Sequence, residues 1–258
     1  MAAVHRADRL NFILDRLADG GVVRIAALAK EMSVSPGTVR RDLQLLEAQK
    51  LLSRSHGGAV AQGVLYQLPV RYLANEFTEA KKRIAKEVVN KLAPGQTVGL
   101  TGGTTTTEVA RALVEIDHLT VVTSALNIAG ELVVRPSIKL VVTGGVARSE
   151  SYELVGPMAE ANLDSVNIDV LIMGVDGISA ARGACTRQEL EAQTTQALMR
   201  RSAKVFIVAD GSKIGRVAFA KLCDVGEIDE LITDASAEGP ELNALRRAGL
   251  KVTLAGGQ

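Results

Sequence analysis

The sequence contains few aromatic residues, two cysteines and no tryptophan. Aromatic side chains make up 3% of its 258 residues, which argues against the stacked aromatic surface that binds single-stranded nucleic acids. Cys185 and Cys223 form no CxxC pair, so we expect reduced thiols and a cytoplasmic location. The three histidines lack the spacing of metal ligands, and we expect neither a metal nor another cofactor.

Long apolar runs and a secretory signal are also missing. The first six residues contain no apolar segment, and the apolar stretch that begins at Leu119 is interrupted by Asn127 and Glu131. We therefore expect no membrane partner. The hydrophobic fraction of 47% is nevertheless ample for a buried core, and the length allows one or two domains.

Residues 33–43 have the pattern of a turn followed by a capped amphipathic helix. Ser35 is a favourable N-cap, and Pro36 suits the first helical position, where its missing N–H costs nothing. Val39 and Leu43 belong to an apolar stripe at helical spacing that marks the buried side. The other side suits the major groove of DNA. The residues that we expect to contact DNA there are Ser35, Gly37, Thr38, Arg40, Arg41 and Gln44.

The neighbouring segments complete a DNA-binding domain over residues 1–62. Two amphipathic patterns precede the capped helix, and two short apolar runs around a Gly57-Gly58 turn follow it. The runs predict a β-hairpin wing, whose Arg54 and His56 are placed to contact phosphate or the minor groove. Three helices plus a wing form a winged helix-turn-helix. A small helical bundle with a solvated arginine face is the alternative.

Positive charge accumulates in this predicted domain. Residues 1–62 carry nine lysines and arginines against six acids, a net charge of +3, whereas the whole chain is +1. The remainder is therefore slightly acidic, as expected if only the amino-terminal part contacts double-stranded DNA. One module of this charge would bind phosphates weakly, and paired modules double the contacts. We therefore expect a homo-oligomer.

The rest of the chain predicts a second domain of a different class. Residues 63–77 lack a clear period and indicate a linker, and residues 78–258 alternate strand-like with helical patterns. The alternation is typical of a Rossmann-like, mostly parallel α/β sheet covered on both faces. One predicted amphipathic helix contains Ile84, Val88, Val89 and Leu92 and ends before Pro94-Gly95. The other predicted helices are Thr105–Val114, Ala125–Val134, Glu189–Ser202 and Glu241–Ala248. The predicted strands are Thr97–Thr101, Leu119–Thr123, Ile138–Thr143, Asp169–Met173, Lys204–Ala209, Glu230–Thr233 and Lys251–Leu254.

The strongest candidate for a binding site in this domain is the segment 100–108. A predicted strand leads into two glycines, and a run of hydroxyl side chains then opens a helix. Glycines let backbone N–H groups approach an anion, and a helix start attracts negative charge. The pattern matches neither a Walker A loop nor GxGxxG, and an ordinary threonine-capped helix is the alternative. The residues that we expect to hold a phosphate are Gly102, Gly103, Thr104, Thr105 and Thr106.

Polar residues also follow other predicted strands. Ligands of parallel sheets bind at the carboxyl ends of the strands. Glycines, hydroxyls, carboxylates and a lysine at these ends suit a polyhydroxylated anion. The candidates are Ser124, Asn127, Asp176 and Lys213.

Six short motifs are spread over nearly the whole chain. They are Val34-Ser35-Pro36-Gly37-Thr38-Val39-Arg40-Arg41-Asp42-Leu43, Arg54-Ser55-His56-Gly57-Gly58-Ala59, Gly103-Thr104-Thr105-Thr106, Leu154-Val155-Gly156-Pro157, Gly174-Val175-Asp176-Gly177-Ile178 and Ser212-Lys213-Ile214-Gly215. In identity and order, they resemble transcriptional regulators of the DeoR family. The resemblance implies a winged helix and an effector domain related to ribose-5-phosphate isomerase and CoA-transferases. It also implies a dimeric or tetrameric repressor of a carbohydrate catabolic operon, controlled by a phosphorylated sugar.

Carried over by position, the resemblance assigns the phosphate to residues 103–106. It assigns the sugar end to Asp176 and Lys213, with Glu189 as a weaker candidate. Two positions depart from the family pattern: Thr101 stands where an aspartate is common, and Ser124-Ala125 replaces Asn-Ser. Since both are expected at the mouth of the pocket, they leave the identity of the sugar open.

Two other functions are alternatives. An active phosphosugar isomerase with a fused DNA-binding module needs a carboxylate base and a group that stabilises the enediolate. The related isomerases carry an acidic cluster and a nearby lysine after the aspartate that matches Asp176. In this chain Gly177-Ile178-Ser179-Ala180 follows Asp176, and no lysine appears until Lys204, so binding without catalysis is the preferred interpretation. A DNA-binding scaffold without a ligand is disfavoured by the repeated polar strand ends.

Overall fold

The computed structural model describes residues 6–20, 22–48, 52–55, 57–60 and 77–256. The chain divides into two compact units, residues 1–74 and residues 75–258. Each unit has a hydrophobic core of its own.

The amino-terminal unit contains three helices that pack around one apolar core. They are α1 (Arg6–Gly20), α2 (Ile25–Glu31) and α3 (Pro36–Ala48). The predicted apolar stripes are buried in this core, with Ile13 of α1 and Leu43 of α3 among the buried side chains. The three predicted helices are therefore confirmed, and α3 begins at its proline because that residue needs no N–H partner there.

A three-stranded antiparallel sheet completes the amino-terminal unit. The strands β2 (Ser53–Ser55) and β3 (Gly58–Val60) form the predicted hairpin, and β1 (Val22–Arg24) pairs with the other side of β3. The predicted Gly-Gly turn is wrong in one detail, because Gly57 lies in the turn while Gly58 already belongs to β3. A Cβ at Gly58 would collide with a carbonyl oxygen of β1. The close approach of β1 therefore requires glycine at that position.

The carboxy-terminal unit is built on a seven-stranded sheet in which every neighbouring pair is parallel. These are the seven strands that the sequence predicts. They are β4 (Thr97–Leu100), β5 (Thr120–Thr123), β6 (Lys139–Val142), β9 (Ile168–Met173), β12 (Ser202–Val208), β14 (Glu230–Asp234) and β15 (Lys251–Ala255). Their spatial order is β15-β14-β12-β9-β4-β5-β6.

Helices cover both faces of this sheet. Alternate residues of a strand point to opposite faces, so that Val170 and Ile172 of β9 lie in one core and Leu171 and Met173 in another. The predicted coverage of both faces is confirmed. The helices on the first face are α4 (Thr78–Val89), α5 (Thr104–Ala112) and α6 (Leu126–Leu132). The helices on the second face are α7 (Pro157–Leu163), α8 (Glu189–Arg200) and α9 (Pro240–Arg247).

Two small antiparallel sheets are additions that the sequence does not predict. The strands β7 (Val146–Ala147) and β8 (Leu154–Val155) form one, and β10 (Gly177–Ser179), β11 (Gly183–Thr186) and β13 (Ala220–Cys223) form the other. Strands of two to four residues are too short to show a period of two. They follow the carboxyl ends of β6, β9 and β12 along the chain.

The order of the strands places a topological switch point between β4 and β9. From β4 the chain moves outward through β5 to β6, and it then returns to the other side of β4 to form β9. In open α/β sheets, ligands bind in the crevice at the carboxyl ends of strands where this reversal occurs. The segments that begin after Leu100 and Met173 therefore border the expected crevice.

Candidate DNA interface and ligand site

The amino terminus of α3 is capped as the sequence predicts. The N–H of Thr38 donates to Oγ of Ser35 at 3.1 Å, and the two hydroxyl oxygens are 2.9 Å apart. The side chains of Arg40, Arg41 and Gln44 are exposed on the side of α3 opposite its buried stripe. This side is therefore free to meet base edges in a groove.

The wing is tied to α3 by an ion pair. Nε of Arg54 in β2 is 3.1 Å from Oε2 of Glu47. The backbone N–H of Arg54 donates to Oε1 of the same carboxylate at 3.1 Å. The Arg54 side chain stays 45% exposed, so it can still reach a phosphate. Gly37 is half-buried in the first turn of α3. His56 lies outside the described residues.

A buried ion pair fixes α3 on the side opposite its exposed arginines. Asp42 of α3 is 2% exposed, and its carboxylate accepts two hydrogen bonds from Arg9 of α1, at 2.8 Å from Nε and 3.2 Å from Nη2. The hydrogen bond with Asp42 raises the pKa of the Arg9 guanidinium. The orientation of the arginine-bearing side of α3 therefore depends on α1.

The first turn of α5 presents unpaired backbone N–H groups. Thr107 is the first residue whose N–H closes a helical hydrogen bond, to the carbonyl oxygen of Gly103 at 3.1 Å. Among the residues that the structure describes, the N–H groups of residues 103–106 have no hydrogen-bond partner. They follow the carboxyl end of β4 at the switch point. Such N–H groups, at the positive end of a helix dipole, bind anions.

The threonines of this turn are not equivalent. The hydroxyls of Thr106 and Thr107 donate to the carbonyl oxygen of Gly103, at 3.0 and 2.6 Å. Thr106 is completely buried, Thr105 is largely buried and Thr104 is partly exposed. Thr106 can therefore donate its N–H to an anion, but its hydroxyl is already hydrogen-bonded to the backbone carbonyl of Gly103.

Gly102 has an N–H that is already occupied. It donates to Oε1 of Glu153 at 2.7 Å, and a Cβ at Gly102 would collide with that carboxyl group. Glycine is needed at this position to admit a side chain of the protein itself. The sequence does not single out Glu153, which immediately precedes the Leu154–Pro157 motif; a carboxyl next to an apolar strand is the signal that could have found it.

Glu153 is a buried carboxyl with an unusual charge state. Burial, followed by the nearby charges of Glu191 and Asp176, raises its pKa to about 8 against the opposing effects of the Gly102 N–H and Arg148. Its Oε2 is buried and has no hydrogen-bond partner within the described part of the chain. Glu153 is therefore mostly uncharged at neutral pH.

The loop after β9 lies beside the loop after β4. The N–H of Gly174 donates to Oγ1 of Thr101 at 3.1 Å, which joins the two strand ends. Asp176 accepts hydrogen bonds from Oγ1 of Thr186 and the N–H of Arg187, both at 3.1 Å, and Nε of Arg187 is 3.5 Å from its other oxygen. Asp176 is thus held in a fixed position near the switch point.

The expectation that Thr101 and Ser124 lie at the mouth of the pocket is wrong. Their residues are 2% and 1% exposed, because both follow central strands beneath the surface. Asn127 is only partly buried, and its Nδ2 donates to Oγ1 of Thr107 at 2.9 Å. Within the described residues, Oγ of Ser124 and Oδ1 of Asn127 are buried without a partner. The Asn127 amide therefore lies against the first turn of α5.

Other candidates lie at different depths. Glu189 is exposed at the start of α8, whereas Glu191 is paired with Arg148, with 3.1 Å between Nε and Oε1. The sequence predicts neither Glu191 nor Arg148, since the pair joins residues that are 43 positions apart. Lys213 is half-buried at the end of a short helix after β12, and the chain that follows it pairs with β10.

Comparison with known families decides the identity of the chain. One family model, the DeoR-like helix-turn-helix domain, matches residues 9–63, and another, the DeoR C-terminal sensor domain, matches residues 76–235. This chain belongs to the DeoR family. It is a DNA-binding transcriptional regulator with an α/β sensor domain.

Two relatives match this DeoR regulator over most of both chains. A glycerol-3-phosphate regulon repressor of Escherichia coli K12 is 34% identical over 89% of this chain and 91% of that protein. A putative aga operon transcriptional repressor of Escherichia coli O157:H7 is 32% identical over 97% of this chain and 94% of that protein. A solved D-ribose-5-phosphate isomerase in complex with phospho-erythronic acid covers 53% of each chain at 20% identity, with a TM-score of 0.40.

A metal site and a membrane-spanning helix are both absent from the described part of the DeoR regulator. Its histidine, cysteine and acidic side chains form no group of three or more that could hold a metal ion. Among the described helices, none is both long enough and apolar enough to cross a membrane.

The buried carboxyl makes the stability of the sensor domain depend on pH. A carboxyl with a higher pKa in the folded chain binds its proton more tightly when folded, so stability falls as the pH rises from 4.5 through about 8. We expect Glu153→Gln, which cannot ionise, to raise the melting temperature of the sensor domain at pH 8.5 by several degrees, with a smaller gain at pH 5. Calorimetry at both pH values measures this.

The exposed carboxyl of Glu238 provides a matched control. Glu238→Gln removes the same charge from the surface and should leave the difference in melting temperature between the two pH values unchanged. Equal pH profiles for the wild type and Glu153→Gln would contradict the prediction.

Proposed function

We propose that this DeoR regulator is a repressor whose affinity for its operator is controlled by a phosphorylated sugar or a similar metabolite, bound at the amino terminus of α5. The observation that carries this proposal is the group of unpaired N–H donors at residues 103–106, located at the switch point of the sheet. The name of the glycerol-3-phosphate regulon repressor supports the same class of ligand.

The surroundings of these donors suit a phosphate attached to a polar carbon chain. The helix terminus and the Thr104 hydroxyl provide donors, and phosphoryl oxygens are strong acceptors. The carboxylate of Asp176 and the buried Oδ1 of Asn127 are acceptors that suit sugar hydroxyls. Lys213, at the carboxyl end of β12, is proposed to approach the same ligand from the side of the sugar.

We also propose that the sensor domain binds its ligand without converting it. Isomerisation needs a carboxylate base that can move a proton between adjacent carbons. Around the Gly102 loop, the described carboxyls of Asp176 and Glu191 are paired with Arg187 and Arg148, and that of Glu153 is mostly protonated. Asp176 and Glu191 are therefore held in ion pairs, and Glu153 would first have to lose its proton. Incubation with pentose and hexose phosphates should give no turnover above background, and turnover would restore the isomerase alternative.

Control of DNA binding follows from linkage between the two units. In this proposal residues 1–62 contact DNA, residues 63–77 link the units, and residues 78–258 bind the effector and form a homo-oligomer. Paired modules must match half-sites about one helical turn apart or a multiple of it. A ligand that favours one arrangement of the oligomer by roughly 5 kcal/mol changes the fraction of operator bound by the regulator from nearly one to nearly zero.

A binding experiment on the full chain tests the proposed function. The DNA is a duplex that this protein selects from a random pool, and the ligands are glycerol 3-phosphate, pentose phosphates and hexose phosphates with their unphosphorylated counterparts. We expect at least one phosphorylated compound to change the Kd for the duplex tenfold or more, and the counterparts to have no effect. If no phosphorylated compound shifts the melting temperature of the full chain, the proposal is rejected.

The arginines of α3 should be needed for specific DNA binding and not for the sensor. We expect Arg41→Ala to weaken binding to the selected duplex by about 1–3 kcal/mol, because Arg41 is exposed on the proposed groove-facing side. Fluorescence anisotropy measures this loss, and calorimetry should give an unchanged affinity for the phosphorylated ligand.

Arg246→Ala is a matched control, because it removes the same charge from α9 in the other unit. Its affinity for the duplex should stay within a factor of two of the wild type. Equal losses in the two variants would mean that net charge, and not the α3 surface, determines binding.

A further inference from the structure

Glu153 has one oxygen that is bonded and one that is not. The residue is 6% exposed, and its Oε1 accepts the hydrogen bond from the N–H of Gly102. Its Oε2 has no partner in the described part of the chain. Burying a polar atom without a partner costs about 1–3 kcal/mol. A carboxyl that serves only to hold the Gly102 loop needs a single acceptor, and this role leaves Oε2 unexplained.

The position of Oε2 connects it with the proposed anion site. Oε1 is bonded to Gly102, and Gly103, the next residue, is the first of the four with an unpaired N–H. The Glu153 carboxyl and these N–H groups therefore border the same end of α5. An anion held by residues 103–106 therefore lies next along the chain to the N–H that binds this carboxyl.

The charges around Glu153 determine which form of the carboxyl is present. The charged groups that face it are Glu191, Asp176 and Arg148. Arg148 is already paired with Glu191, and Asp176 is paired with Arg187. Among the described ion pairs, Glu153 has none. Burial without an ion pair among the described residues therefore favours the protonated form of Glu153.

We propose that Glu153 is a specificity-determining residue of the ligand site, where its uncharged carboxylic acid donates a hydrogen bond from Oε2 to a phosphoryl oxygen of the bound ester. The inference rests on the proposed function, since it deepens the same site. An O–H that donates to an anionic oxygen forms a short, strong hydrogen bond. A carboxylate in the same place would repel the phosphate. The proton stays on Glu153, and no bond is made or broken.

The inference predicts an affinity that depends on pH in a range where the ligand does not titrate. A phosphate monoester has its second pKa near 6 and is a dianion from pH 7 upward. Ionisation of Glu153 at higher pH removes the donor and adds a repelling charge. Between the pKa of this carboxyl in the free protein, about 8, and its higher pKa in the complex, Kd should rise by about tenfold for each pH unit.

The experiment is calorimetric titration of the full chain with glycerol 3-phosphate between pH 7.0 and 9.5. The wild type should show a Kd at pH 9.5 at least tenfold higher than at pH 7.0. Glu153→Gln keeps an acceptor for Gly102 and a donor in place of Oε2, and it cannot ionise. Its Kd should lie within threefold of the wild type at pH 7.0 and stay constant to pH 9.5.

Two further variants complete the experiment. Glu153→Ala, which lacks the donor, should have a Kd at least tenfold higher at pH 7.0, with no dependence on pH. Glu238→Gln should behave as the wild type. A constant Kd in the wild type, or a rise in Glu153→Gln as large as in the wild type, would overturn the role of Glu153 alone. Failure of the wild type to bind any phosphorylated compound at any pH would overturn the proposed function as well.

Discussion

Thr104→Asp weakens the binding of a phosphate monoester by about 100-fold or more. Thr104 is the first residue of α5, and its side chain is partly exposed at the unpaired N–H groups. A carboxylate there occupies these donors and lies close to the bound phosphate. Two like charges 4 Å apart interact by about 4 kcal/mol at the effective dielectric constant of a protein surface, and about 3 kcal/mol already corresponds to a factor of 100.

The fold should tolerate this change, because a negative side chain in the first turn of a helix is favourable. Thr104→Asn, of nearly the same shape and without charge, is the control and should bind within fivefold of the wild type. Calorimetry measures both affinities. DNA binding of Thr104→Asp should be normal but no longer respond to the ligand. Equal affinities of the two variants would show that the phosphate binds elsewhere.

Asp42→Ala destabilises the amino-terminal unit by about 3 kcal/mol. The substitution leaves the guanidinium of Arg9, whose side chain is 14% exposed, without its bidentate partner. Removal of one member of a buried ion pair is costly because the remaining charge is uncompensated. Hydrogen exchange of α3 peptides in the full chain should become about 100-fold faster. Specific DNA binding should be lost as well.

A double variant distinguishes the effect of losing the ion pair from the effect of losing side-chain volume. Replacing both partners with apolar residues, Arg9→Met with Asp42→Leu, leaves no buried charge, and such replacements are often neutral. Its α3 peptides should exchange more slowly than those of Asp42→Ala. Equal exchange rates in the two variants would mean that the cost does not come from the loss of the carboxylate that pairs with Arg9.

The main elements of both units could be predicted from local sequence patterns. Strands buried on both faces are continuous apolar runs, as in Ile168–Met173, and the predicted strand there differs from the observed one by a single residue. The N-cap of α3 involves residues three positions apart, so its signal is also local. β1, β7 and β8 were missed because two or three residues show no period.

The candidate site could be predicted only in part, because some of its contacts join distant residues. The glycines and threonines that open α5 form a local motif. Glu153 lies 51 positions from Gly102, and nothing in either segment indicates the other. The sequence shows that space is needed at Gly102, but it cannot tell whether a ligand or a side chain of the protein fills that space. The structure identifies Glu153 as the group that does.

The proposed anion site at the start of α5 consists of main-chain amides, whereas the groups proposed to select among ligands are side chains on other segments. Main-chain amides are the same in every sequence that keeps the turn, so selectivity can drift without loss of phosphate affinity. To redirect this regulator to a new metabolite, we would randomise positions 127, 153, 176 and 213 and leave residues 102–107 untouched. A biosensor library built in this way keeps the proposed phosphate-binding amides, while variants are selected for the ligand that they bind.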